Sequence, residues 1–152
     1  MTPENTSTLL TAYPLLYRNL RDQSFECGDG WFDLVWQVSA DIEAAAQLEG
    51  ILKISEAWPS VGILKQKFGI LRVQFHGCVS DATEAVATKA YEQSIVTCEL
   101  CGAPAQCDSE RKLARWIETL CDKCRKAHRS PPHIHDGKRL PVWMQERAVK
   151  LK

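Results

Sequence analysis

The sequence predicts an α+β fold in which helices pack on a small antiparallel sheet, with a treble-clef-like zinc module in the C-terminal third. Three observations predict it: an apolar stripe at helical spacing, a run of alternating apolar and polar residues, and two Cys-x-x-Cys pairs. We expect an α+β body over residues 1–97, a zinc module over 98–130 packed on that body, and a basic, proline-containing tail over 131–152 that ends in a short helix.

The first elements are expected to be helical. The apolar and aromatic segment Leu9 to Leu20 predicts a helical turn or two around Pro14. The glycine-rich segment Phe25 to Trp31 follows, and Asp29 is placed to cap a helix that runs to about Leu48. The apolar stripe of this helix contains Trp31, Leu34, Val35, Val38, Ile42, Ala45 and Ala46, and its aromatic residues, Trp31 and Trp36, are expected in the core.

A strand region follows Pro59. Leu71, Val73 and Phe75 alternate with Arg72, Gln74 and His76, which predicts one buried and one solvated face. Gly69 divides the run, so Ile63–Lys67 and Ile70–His76 are either two antiparallel strands or one strand with a bulge. The cations Lys65, Lys67 and Arg72 fall on or near the solvated face. Ordinary solvation is the favoured interpretation, and a surface for phosphate or an acidic partner is the alternative.

A further helix is predicted from Asp81 to about Ser94. Asp81 and Glu84 form an acidic variant of the capping box, and an alanine-rich run follows. This helix leads to Cys98 without a glycine- or serine-rich linker, so we expect the zinc module to pack on the body.

The strongest motif is the doubled Cys-x-x-Cys. Nineteen residues separate the pair Cys98 and Cys101 from the pair Cys121 and Cys124, and this spacing is typical of four-thiolate zinc sites. Two intervening residues allow a tight turn to direct both sulfurs at one tetrahedral ion. Gly102, just after the first pair, allows the backbone to fold back on itself as a knuckle. A hairpin of residues 103–108 and 113–120 and a helix of residues 121–128 complete the predicted module.

Alternative ligands and pairings remain open. Cys107 and His128 are minority candidates to replace a predicted ligand, whereas Cys27 and Cys78 are expected to be small buried apolar residues. Disulfides are disfavoured because they require an oxidising compartment. The polar N-terminus does not match a signal peptide, and no segment has the apolar length of a membrane span. We therefore expect a cytoplasmic protein.

The closed ligand set bears on the class of function. A catalytic zinc keeps a coordination position open, whereas four thiolates fill the tetrahedron, so we expect structural Zn2+ and no catalytic residues. The sequence contains no dinucleotide or P-loop motif, no His-Glu-x-x-His and no nucleophile elbow. A zinc-dependent hydrolase or nuclease is the least favoured alternative.

Charge is distributed unevenly along the chain. Residues 1–97 contain 7 basic and 12 acidic residues, whereas residues 98–152 contain 12 basic and 7 acidic residues. A zinc ion bound by four thiolates carries a net negative charge, so it would reduce the basic excess of residues 98–152 to a mild one. The candidate partner-binding residues are Arg125, Lys126, Arg129, Lys138, Arg139 and Trp143.

Four blocks carry a resemblance to a known family. Phe25–Trp31, Gln66–Arg72, Cys98–Pro104 and Thr119–Cys124 resemble the recurring blocks of a family of small, uncharacterised bacterial and phage-encoded proteins. The similarity spans roughly residues 13–127. The last metal position of that family is often histidine, so Cys124 is a departure that preserves ligation. The resemblance implies a bacterial or phage setting, and the family supplies no activity to transfer.

These observations together predict a non-enzymatic zinc protein that binds another macromolecule. A protein partner is favoured, and a phage origin would suit an inhibitor or modulator of a host system. The alternative is a regulatory nucleic-acid-binding protein that uses the basic C-terminal module.

Overall fold

The computed structural model describes residues 1–107 and 117–128. In this part of the chain the fold is α+β, as predicted, and no helix is long and apolar enough to span a bilayer. The predicted terminal helix and the tail lie outside the described residues. The helices are α1 (Pro3–Ala12), α2 (Phe32–Leu48), α3 (Asp81–Ser94) and α4 (Asp122–His128), and the strands are β1 (Val61–Lys67), β2 (Ile70–Phe75), β3 (Gln106–Cys107) and β4 (Thr119–Leu120).

The core is formed by α2, α3, strands β1 and β2 and the segment between α1 and α2, with α3 packed against both α2 and β2. The predicted stripe of α2 is largely confirmed, since five of its members and Trp31 just before the helix are buried, while Ala45 is half-buried. Trp36 differs from the prediction, because its side chain is 37% exposed and contacts the rings of Tyr13 and Phe32. The strands contribute Val61, Leu64 and Leu71 to this core.

Strands β1 and β2 form an antiparallel hairpin, which decides between the two interpretations of the strand region. The two-residue turn Phe68-Gly69 joins them, with Lys67 opposite Ile70. The φ angles of 58° and 76° at these turn residues are those of the hairpin turn that matches strand twist. Leu71 faces the core and Arg72 faces solvent, so the predicted alternation is confirmed.

The first helix, Pro3–Ala12, was not predicted over most of its length. The predicted segment Leu9 to Leu20 contains its last turn and then a hydrogen-bonded turn around Pro14, in which the N–H of Tyr17 donates to the carbonyl of Tyr13 at 3.1 Å. The Oγ1 of Thr2 accepts a hydrogen bond from the backbone N–H of Asn5, and Pro3 occupies the first helical position, where its missing N–H costs nothing. The residue before a proline avoids helical dihedrals, so the helix ends there.

Two predicted helix caps were also wrong. Asp29 does not cap α2, whose first turn follows Trp31 without a side-chain cap. Its Oδ1 instead accepts hydrogen bonds from the backbone and side chain of Thr2 and from the side chain of Asn5, at 2.8 to 3.0 Å. Helix α3 is capped by Ser80, one residue before the predicted Asp81, and Ser80 accepts from the N–H of Thr83 at 3.2 Å.

Candidate metal centre

The structure brings together the four cysteines of the two Cys-x-x-Cys pairs. The Sγ atoms of Cys98, Cys101, Cys121 and Cys124 all lie within 4.8 Å of one another. The Sγ atoms of Cys101 and Cys121 are 3.6 Å apart. Four zinc–sulfur bonds of about 2.3 Å in a tetrahedron place the sulfurs about 3.8 Å apart. The arrangement therefore fits one tetrahedral metal ion held by four thiolates.

The first pair lies on a tight backbone knuckle. The N–H of Gly102 donates to the carbonyl of Cys98 at 2.9 Å, and the N–H of Cys98 donates to the carbonyl of Ala103 at 2.8 Å. Gly102 has a φ of 75°, a conformation that side chains disfavour. Cys98 is fully buried and Cys101 is exposed, so the knuckle inserts one ligand into the protein and leaves the other at the surface.

The second pair lies at the start of α4. Cys121 precedes the helix and Cys124 is in its first turn, where the backbone N–H of Cys124 donates to Cys121 Sγ at 3.4 Å. The short β3–β4 ladder joins the two halves of the site, with Gln106 opposite Leu120. The N–H of Glu99 also donates to the carbonyl of Thr119 at 2.9 Å. Backbone contacts thus help to align both pairs of cysteines.

The thiols influence one another's ionisation. The hydrogen bond from the N–H of Cys124 lowers the pKa of Cys121 to about 7, assisted by neighbouring thiols. The hydrogen bond with Cys101 raises the pKa of Cys124 to about 12. Hydrogen bonds within the cluster therefore favour ionisation of one of its thiols, and thiolate is the form that binds a metal.

The knuckle packs directly against the loop before α2. The N–H of Gly30 donates to the carbonyl of Glu99 at 2.8 Å, and the N–H of Gly28 donates to its Oε1 at 3.0 Å. A Cβ at Gly30 would lie 2.6 Å from the nitrogen of Gly102 and closer still to Cys98 and Cys101. The absence of a side chain at residue 30 is thus required for this contact.

Glu99 has a role that sequence reasoning missed. Burial raises the pKa of its carboxyl, the Gly28 N–H lowers it, and nearby Glu118 raises it. The net shift of the pKa is upward, which means that the partly buried position of Glu99 against the body disfavours the charged form of its carboxyl. The available signal was the glycine-rich segment itself, since glycine permits the close approach of two backbones that this contact requires.

The second half of the module contacts the turn of the β1–β2 hairpin. Thr119 Oγ1 donates to the carbonyl of Gly69 at 2.5 Å, and Gln66 Nε2 donates to the carbonyl of Ile117 at 2.9 Å. Cys107 Sγ lies 3.9 Å from the carbonyl of Phe68 and is not part of the four-cysteine group. The hairpin turn therefore rests on residues that flank the metal-ligand candidates.

Cys27 and Cys78, which do not belong to the cluster, differ in their exposure to solvent. Cys27 is buried, as predicted, and burial raises the pKa of its thiol to about 12. Cys78 is exposed, so the prediction that it is buried was wrong; it follows Gly77 in the loop before α3, beyond the packed strands. The side chain of His128, at the end of α4, lies outside the described part of the chain.

The candidate partner-binding residues are described in part. Arg125 donates to the carbonyl of Leu120 at 2.9 Å and to that of Gln106 at 3.3 Å, so its guanidinium braces the β3–β4 ladder. Lys126 is exposed. The other four candidates, Arg129, Lys138, Arg139 and Trp143, lie outside the described residues, and partner binding by all six stays a prediction.

No protein-family model, curated protein or solved structure that was compared with this chain matches it. The resemblance to a bacterial and phage family therefore stays a prediction.

Proposed function

We propose that this chain is a non-enzymatic protein that binds structural Zn2+ and acts by binding another protein. The observation that carries the proposal is the cluster of four Sγ atoms within 4.8 Å, because a filled thiolate tetrahedron leaves no position for water or substrate. The knuckle, the β3–β4 ladder and α4 then form a treble-clef-like module, with one ligand pair from the knuckle and one from the helix.

The position of the module supports a scaffolding role for the metal. One side contacts Gly28 and Gly30 before α2, and the other contacts Gln66 and Gly69 of the hairpin. Metal binding at such a site contributes directly to folding free energy. Zinc would therefore fix the position of the hairpin relative to α2, and the working surface would lie on the elements that it holds.

The family resemblance extends the proposal to its setting. The bacterial cytoplasm, in which a phage-encoded protein would also act, keeps thiols reduced, which is the condition that four free cysteines at a zinc site require. In that setting a small binding protein would act as an inhibitor or modulator of a host system, and the partner would be a host protein.

Two measurements test the proposal on the full chain. Zinc content and X-ray absorption should give one ion with four sulfur neighbours, and the Cys78→Ser variant, which alters an exposed cysteine outside the cluster, should keep that ion. A purified partner identified by affinity capture should bind the zinc-loaded protein and lose affinity after chelation. A zinc ion with a bound water, or a partner that binds equally without zinc, would contradict the proposal.

A nucleic-acid-binding role is the second candidate, favoured by the exposed lysines 123 and 126 on α4. Phosphate-dominated binding weakens steeply with salt. A salt titration of the purified complex therefore separates the two candidates, because a complex that persists at high salt excludes dominant phosphate contacts.

A further inference from the structure

The solvent-facing side of the β1–β2 hairpin concentrates positive charge. We call this surface the hairpin face and define it as Lys65, Lys67, Arg72 and the turn residue Phe68. Lys65 lies directly opposite Arg72 in the register, and Lys67 is two residues further along the same side of β1. Like charges at directly opposed positions of an antiparallel pair destabilise it.

These cations have no acidic partner in the described part of the chain. The ion pair found there joins Lys53 to Glu43, away from the hairpin. Glu26 flanks Lys65 through a parallel bridge, but its exposed side chain forms no ion pair with it. Among the described residues, the hairpin therefore retains a cross-strand cation pair, Lys65 and Arg72, that forms no ion pair with a carboxylate.

The turn residue Phe68 is a second locally unfavourable choice. Its φ of 58° lies in the left-handed region, which asparagine and glycine adopt readily and phenylalanine does not. Its side chain is nevertheless 62% exposed, and its ring centroid is 5.4 Å from Lys67 Nζ. The position thus combines backbone strain with an exposed aromatic ring, and such strain is found preferentially at functional sites.

The hairpin breaks two local rules, because it places like charges opposite each other and a phenylalanine at a left-handed turn position. Positions that lower local stability without improving the packing of the fold are expected to be functional. We propose that the hairpin face binds an acidic segment of a partner protein, with carboxylates against Lys65 and Arg72 and an apolar side chain on Phe68. This inference rests on the proposed function, for which it names the surface and the chemistry of the partner.

The charge of the surrounding body favours a short acidic segment over nucleic acid. Residues 1–97, which include the hairpin, contain 12 acidic and 7 basic residues. A long polyanion gains affinity from many phosphate contacts, and the net negative charge of residues 1–97 would oppose such binding. A peptide with a few carboxylates can be bound by the cations of the hairpin face alone. Its apolar residue can pack on the ring of Phe68, which is already exposed.

The zinc module provides a reason for the rigidity of this surface. Thr119 holds the Gly69 carbonyl and Gln66 reaches the Ile117 carbonyl, so both contacts fix the hairpin turn from the core side. A turn held in this way presents Phe68 without a large ordering cost on binding.

The test uses two probes with the zinc-loaded full chain: a labelled peptide of glutamates around one central tryptophan, and an oligothymidylate of the same net charge. Binding is followed by fluorescence anisotropy and by amide shift changes at low and at physiological salt. The variants are Phe68→Asn and Arg72→Gln, with Lys89→Gln as the control for loss of one exposed cation on α3.

We expect the peptide to shift the amide signals of β1 and β2. Its affinity should fall at least about fivefold in each hairpin variant, the effect expected when a residue that contributes to binding is replaced. Lys89→Gln should bind as the unmodified chain does. Both hairpin variants should also show unchanged or higher melting temperatures, since each removes a local conflict. This separates lost binding from lost folding.

Three results would overturn the inference: no amide shifts with the peptide, equal binding by the hairpin variants, or tighter and steeply salt-dependent binding of the oligothymidylate. The proposed function is judged separately by the purified partner. If Phe68→Asn still binds that partner with full affinity while chelation abolishes binding, the hairpin face is wrong and the zinc-dependent protein partner stands.

Discussion

The indole Nε1 of Trp31 donates a hydrogen bond to the backbone carbonyl of Thr97, 2.8 Å away. Trp31 is fully buried immediately before α2, and Thr97 immediately precedes the first cysteine of the metal centre. The contact therefore joins one of the two fully buried tryptophans of the described residues to the segment that positions Cys98. It provides a direct structural link between the packing of the body and the geometry of the metal site.

Replacement of Trp31 by phenylalanine should destabilise the protein by about 1–3 kcal/mol. The variant loses the donor to Thr97, leaves that carbonyl partly buried without this partner, and leaves a void beside the core. Urea unfolding of the zinc-loaded proteins measures the change in the free energy of unfolding. Trp36→Phe is the matched control, because Trp36 is 37% exposed on α2. Equal losses for the two variants would contradict the role given to the Thr97 contact.

A methyl group at Gly30 should separate the knuckle from the body. The added Cβ would lie 2.6 Å from the nitrogen of Gly102, against backbone that has little freedom to move. We expect Gly30→Ala to cost about 1–3 kcal/mol of stability and to weaken zinc retention against a competing chelator. Gly62→Ala is the control, because its nearest neighbour is the Gln74 carbonyl at 3.7 Å, an ordinary contact. A Gly30→Ala protein with unchanged stability would show that the knuckle does not pack on this loop.

The sequence predicted the elements whose signal is local. Helix α2 and the β1–β2 hairpin follow from periodicity over a few residues. The apolar stripe places most of its members in the core, and the alternation places Leu71 in the core with Val73 and Phe75 packed against it. The four cysteines could be grouped because the motif itself encodes the turn geometry of each pair.

Interactions between distant segments could not be predicted in the same way. Asp29 satisfies the local rule for a helix cap. Its carboxylate instead accepts hydrogen bonds from Thr2 and Asn5, which lie 24 to 27 residues away along the chain. The contact of Gly30 with Glu99 likewise depends on how the module docks. No pattern within one segment specifies either choice, because both depend on tertiary packing.

The carboxylate of Asp29 should make the attachment of α1 dependent on pH. Burial acts to raise its pKa, but hydrogen bonds from Thr2 and Asn5 outweigh burial, and the net shift is below the ordinary 3.8. A lowered folded pKa means that the ionised form stabilises the fold at pH values above about 3.8, and this stabilisation is lost as the pH falls through the lower folded value.

The Asp29→Asn variant tests this dependence because asparagine retains an acceptor oxygen and removes the charge. The difference in unfolding free energy between the two proteins should be largest near neutral pH and should shrink below about pH 4. Urea unfolding of both proteins at the same zinc concentration, in a series of buffers from neutral to acid, measures it. A difference that does not change with pH would show that the charge of Asp29 is irrelevant to stability.

Zinc removal should loosen the contact between the knuckle and the loop before α2, because an ion bound by the four cysteines would hold Cys98 and Cys101 in the conformation that presents the Glu99 carbonyl to Gly30. Chelation should therefore accelerate hydrogen exchange of the Gly30 amide by at least about tenfold, the effect of roughly 1.4 kcal/mol of lost local stability. The amide of Val61, which donates to the Leu16 carbonyl at 2.7 Å in the body, is the internal control and should change less. If both amides accelerate equally, zinc supports the whole fold and not this contact in particular, and if neither changes, the knuckle keeps its position without metal.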